Sequence, residues 1–210
     1  MKSLVPAFVV AAAIVLAGST ASATPITFVA DLTGADENPP TPSAGTGTAF
    51  VTLDPGSDTM RVEVTFSGLT APTSASHIHC CEATPGANAN VLVATTVPSF
   101  PGFPLGVTSG SYDHTFNLLD SGTYNPAFIA SSFDPTHDVP GAALALINGI
   151  ENEETYLNIH TSLIVGGVQV GFPGGEIRGT LVPEPSSLVL LVSGLFGLGL
   201  IRRRKMAARS

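Results

Sequence analysis

Three short segments repeat one pattern. His77-Ile78-His79, Asn158-Ile159-His160 and Glu176-Ile177-Arg178 each set an isoleucine between two polar residues. Imidazole, carboxamide, carboxylate and guanidinium groups can hold a metal ion, move protons or hydrogen-bond one another. Successive side chains of a β-strand point to opposite faces. If the triplets lie on neighbouring strands, Ile78, Ile159 and Ile177 meet in a core. His77, His79, Asn158, His160, Glu176 and Arg178 then share one polar surface on the other side. Histidines two residues apart on a strand are about 6.6 Å apart at Cα. Two such imidazoles can converge on one ion, and His160 completes a three-nitrogen site of the kind Zn²⁺ or Cu²⁺ accepts. The alternative is a structural polar cluster, with Glu176 pairing with Arg178 or with a neighbouring histidine.

Other reactive side chains are few. Cys80 and Cys81 are the only cysteines, and being adjacent they cannot staple distant strands. They could form a vicinal disulfide, stay reduced, or supply a thiolate ligand. Cys81 shares parity with His77 and His79 and is the better ligand candidate. His114 shares parity with Tyr112, Phe116 and Leu118 and reads as a core histidine. His137 falls in a loop, with no partner evident from the sequence. Asp36-Glu37 and Glu153-Glu154 read as solvated loop carboxylates. No Gly-x-Ser-x-Gly elbow, P-loop, His-Glu-x-x-His or calcium-loop pattern occurs, so no catalytic residue is assigned.

The elements that must position these residues are short strands. Turn signals recur at Asn38-Pro39-Pro40, Asp54-Pro55-Gly56-Ser57, Thr84-Pro85-Gly86, Pro101-Gly102 and Pro173-Gly174-Gly175. Residues 48–53 and 60–66 flank one such turn and predict a hairpin. From Met60 to Phe66 the even positions are apolar and the odd ones polar, as in a half-buried strand. Further strands are predicted near 26–32, 76–81, 91–94, 110–118, 155–161 and 176–181. The pattern implies an all-β antiparallel sandwich. One helix is expected within it: Asp138 can cap, Pro140 suits a first turn, and residues 141–147 are rich in Ala and Leu.

Composition supports this. Of 210 residues, 22 are Gly and 17 Pro, and only 11% are charged, against roughly 25% in ordinary domains. That argues against a coiled coil, a helical bundle or a nucleic-acid binder. Between residues 24 and 182 there are two basic residues against fifteen acidic ones, a net charge of −13. Such a surface repels nucleic acid and favours cations.

The basic residues gather instead at the two ends. Lys2, the apolar run 4–17 and Ala21-Ser22-Ala23 form a signal-peptide pattern over residues 1–23, with cleavage between Ala23 and Thr24. At the other end come Pro183-Glu184-Pro185, an apolar run over 188–201, and Arg202-Arg203-Arg204-Lys205. The run is barely long enough to span a bilayer, and the basic cluster should stay cytoplasmic. This order, over residues 183–205, resembles the PEP-CTERM sorting tail of bacterial surface proteins, with 206–210 left as a short end. The resemblance implies transient inner-membrane anchoring and cutting near Pro-Glu-Pro by an exosortase. A permanent anchor is the alternative.

Between the ends, residues 24–182 resemble a CHRD domain, named from chordin. The resemblance rests on Phe28 to Gly34, Glu37-Asn38-Pro39-Pro40, Gly68-Leu69-Thr70, His77-Ile78-His79, Tyr156 to Thr161 and Pro173 to Gly179. Gly174-Gly175-Glu176-Ile177-Arg178-Gly179 is its most specific piece, and residues 125–150 depart from the simplest pattern as an insertion. It implies an exported protein at the cell surface or in extracellular polymer. Two functions are in contention. One is a non-enzymatic structural or binding module whose partners beyond the secretion machinery would be extracellular polysaccharide or another surface protein. The other is a copper or zinc metalloprotein using the three histidines.

Overall fold

The computed structural model describes residues 24–185 apart from Ser132 and Asp134. Ten strands follow in chain order: β1 (Ile26–Thr33), β2 (Thr46–Asp54), β3 (Thr59–Ser67), β4 (Thr73–Cys80), β5 (Gly110–Asn117), β6 (Thr155–Thr161), β7 (Leu163–Val165), β8 (Val168–Val170), β9 (Ile177–Thr180) and β10 (Val182–Pro183). Between β5 and β6 lie a 3₁₀ turn (Ser121–Thr123) and two helices, α1 (Pro126–Ile129) and α2 (Val139–Glu151).

The main sheet is antiparallel, in the order β4-β6-β9-β1-β2-β3-β5, with β10 beside β1; β7 and β8 form a separate two-stranded ribbon. The main sheet curls on itself, giving the all-β sandwich architecture expected. Its concave side is built by alternation. On β3, Met60, Val62, Val64 and Phe66 are buried, matched by Phe28, Ala30 and Leu32 on β1 and by Ala49, Val51 and Leu53 on β2. The β2–β3 turn is tied by the Asp54 carboxylate, which accepts from the Gly56 amide and the Ser57 hydroxyl. Asp138 caps α2 by accepting from the Gly141 amide, and Ala142, Ala143, Leu146 and Ile150 carry the helix onto the core. The helix runs beyond the expected 141–147 to Glu151, because its apolar spacing continues through Ile150.

Ile78, Ile159 and Ile177 are fully buried in this one core, and Ile159 and Ile177 are cross-strand partners. His114 lies half-buried on β5 among Tyr112 and Phe116. Two expectations are corrected. Residues 91–94 form no strand; they run along the edge of β4, joined by a bridge between His79 and Val93. β4 ends at Cys80 rather than continuing to 81. The ribbon β7–β8, made of the run after Thr161, was not expected at all. The expected signal peptide over residues 1–23, including Ala23, the apolar run 188–201 and Arg202, Arg203 and Arg204 lie outside the described residues.

Candidate metal centre

On the face of β4, β6 and β9 opposite the isoleucines, the register sets His77 against Asn158, His79 against Tyr156, and Asn158 against Arg178. His160 pairs with Ala75 and is thereby diagonal to His77. One nitrogen from each of His77, His79 and His160 lies within 4.8 Å of the others, and His77 Nδ1 is 3.4 Å from His160 Nε2.

The proton positions follow from the remaining contacts. His77 Nε2 is 2.7 Å from the Pro98 carbonyl, His79 Nδ1 is 2.8 Å from that of Val91, and His160 Nδ1 is 2.8 Å from that of Pro173. A carbonyl oxygen only accepts, so each of those nitrogens carries the proton and donates it. The lone pairs therefore sit on His77 Nδ1, His79 Nε2 and His160 Nε2. Two of these acceptors, His77 Nδ1 and His160 Nε2, face each other with no donor between them, a nitrogen of His79 lies within 4.8 Å of the cluster, and His79 Nε2 is buried without a partner. A proton does not resolve the arrangement near neutrality. Burial, with the neighbouring His160, lowers His77 to about 4. Burial lowers His79 to about 4 and holds His160 below its ordinary value. An ion bonded at about 2.0–2.1 Å to three nitrogens sets them about 3.3–3.5 Å apart, the separation already present between His77 and His160. The donor set thus fits a transition-metal ion, with each outer nitrogen anchored to the backbone as ligating histidines usually are.

The polar face is no open surface. His77 is 6% exposed, His79 8%, Asn158 2% and Arg178 1%, while His160 is half-buried. The chain from Glu82 to Pro98 closes over it, held by Ala94 donating to the Ile78 carbonyl and Cys80 to that of Leu92. This cover also changes the expected pairings. Arg178 bridges to Glu82 at 2.8 Å and donates to the Ala89 carbonyl and Asn90 Oδ1; its guanidinium lies 3.3 Å over the Tyr156 ring. Tyr156 in turn stacks on His79 with ring centroids 4.5 Å apart. Glu176 pairs with neither Arg178 nor a histidine. Burial works to raise its pKa, but hydrogen bonds from Ser43, Thr161 and Thr70 more than offset this and hold it low. Cys81 is joined to Cys80 in a vicinal disulfide packed against α2, so its sulfur is not among the converging ligands.

Glu37 is likewise no solvated loop residue. It is 3% exposed, reaches Asn158, and burial raises its pKa to about 7 against the pull of Arg178. Sequence reading missed Tyr156, Glu82 and the role of Glu37. Tyr156 shares strand parity with Asn158 and His160 and was legible; Glu82 comes from a covering loop with no periodicity to betray it. The glycine-rich motif is explained by the same contacts. Gly175 adopts φ of 134°, and a Cβ there would strike the Glu37 carboxyl, while one at Gly179 would strike the Asp31 backbone.

At the C-terminal boundary, Pro183 pairs with Phe28 and the Glu184 amide donates to the Thr27 carbonyl. Pro185 is exposed, as is Thr24 at the other end. Among known families, residues 28–181 match the CHRD domain and residues 181–205 match the PEP-CTERM protein-sorting motif. No curated protein and no solved structure matches the chain.

Proposed function

Because the chain belongs to the CHRD domain family and ends in a PEP-CTERM sorting motif, marking it as an exosortase-processed surface protein, we propose that it is an extracellular metal-binding module. The ion is held by His77, His79 and His160. The observation that carries this reading is the convergence of three imidazole lone pairs while every outer nitrogen is spent on a carbonyl. A cluster serving only its own hydrogen bonds would pair donors with acceptors, and this one sets acceptor against acceptor.

In this role β4 and β6 fix the ligand spacing, the Pro98, Val91 and Pro173 carbonyls fix the tautomers, and the 82–98 cover excludes water. Tyr156 holds the plane of His79. The metal site makes the protein a binding module of the cell surface or its polymer, with polysaccharide or another surface protein as the partner it is displayed to.

Thermal unfolding of the purified full chain tests the reading. A ligand that binds only the folded state raises stability by about 2.7 kcal/mol at a concentration 100 times its Kd. Wild type should melt higher with Zn²⁺ or copper than with chelator, and His79→Ala should lose that response. Equal responses in the two proteins, or none in wild type, would sink it.

A further inference from the structure

The charge around the three histidines bears on which ion they hold. Granted the metal site proposed above, on which this rests, we propose that it is built for copper in its cuprous state, in preference to Cu²⁺ and Zn²⁺.

The donor set is wholly neutral. Among the described residues, no carboxylate or thiolate joins the cluster. The nearby carboxyls offer no ligand: Glu82 is paired with Arg178, Glu176 is held by Ser43, Thr70 and Thr161, and Glu37 lies beside Asn158, its pKa raised by burial. The two sulfurs are bonded to each other. The column Arg178–Tyr156–His79 adds a cation already matched by Glu82, so it supplies no negative charge to offset a bound ion. An ion therefore brings its full charge into a largely buried site. The solvation cost of burying charge grows with its square, so a divalent ion meets about four times the penalty of a monovalent one.

The outer contacts act in the same direction. A carboxylate behind a ligating histidine raises its basicity and would help a divalent ion; here all three partners are neutral carbonyls. Three neutral nitrogens can complete a trigonal Cu⁺ site unaided, whereas Zn²⁺ would draw in a water as its fourth ligand.

The test is metal competition on the purified full chain. Cu⁺ is presented anaerobically with ascorbate against a chromophoric cuprous chelator, and Cu²⁺ and Zn²⁺ against nitrilotriacetate. One equivalent of Cu⁺ should bind at least a hundredfold tighter than Cu²⁺, which for a one-electron couple raises the copper potential by about 120 mV. His79→Ala should lose this binding; if that variant does not fold, His160→Gln, at the half-exposed ligand, takes its place. Tighter Zn²⁺ or Cu²⁺ binding would overturn the cuprous preference while leaving the metal site standing. Cu⁺ bound equally by the variants would place it elsewhere and overturn it too. Failure of wild type to bind any of the three ions would remove the site itself.

Discussion

Glu37 shows how one residue can carry a pH dependence for the whole domain. Its carboxyl is buried beside Asn158 with Oε1 lacking a partner, and its pKa rises from 4.5 to about 7. The folded state therefore holds a proton that the unfolded state gives up between those values. Stability contributed by that proton is present below pH 4.5 and is lost as pH rises through 7. Glu37→Gln keeps the shape without the ionisation. Its stability relative to wild type should improve between pH 5 and pH 8, by at most about 3 kcal/mol for a shift of this size. Urea unfolding at the two pH values measures this, and an unchanged difference would refute it. Residue identity in the histidine cluster was legible because strand parity is strict. Glu37 was not, because its burial depends on a loop folding back over Gly175, a contact between residues far apart in sequence.

Elements were legible where a period could be counted. β3 and α2 announce themselves by alternation and capping; both formed, α2 running on to Glu151. β10 is two residues long and β7–β8 is an exposed ribbon, so neither carries a readable pattern. The covering segment 82–98 has no period either, and it is what turns an expected polar surface into a buried layer. Two substitutions probe the packing of these elements. Ile159→Ala empties a fully buried position where β6 meets β9 and should cost about 2–5 kcal/mol in chemical unfolding. Gly149→Ala on α2 sets two effects against each other. Helix propensity favours alanine by about 1 kcal/mol. The new Cβ, however, would lie 2.5 Å from Cys80 Sγ and 3.0 Å from Cys81 Sγ. Overpacking of that kind costs about 1–3 kcal/mol, so the variant should be less stable than wild type. A gain in stability would mean that α2 does not rest on the cysteine pair.

At the scale of the whole molecule, the family match and the sorting motif together cover residues 28–205, and both were recognisable from ordered motifs. Processing at both ends should leave a chain that begins at Thr24 and lacks Arg202 to Arg204. Intact mass of protein recovered from its native host reads this directly, and a dominant species spanning Met1 to Ser210 would contradict it. The first residues of the sorting motif are tied to the domain, however. Val182 and Pro183 are the last strand of the main sheet, and Glu184 is bonded to Thr27. Proteases draw their substrates in as accessible, locally unfolded segments. If an enzyme takes Pro183-Glu184-Pro185 as an extended segment, it has to peel this short strand from β1 first. If the chain is tethered through its sorting motif, the folded domain acts as a latch on its own release: cutting there waits on fraying at Phe28 and Val29, and loosening that edge should shorten the tethered lifetime.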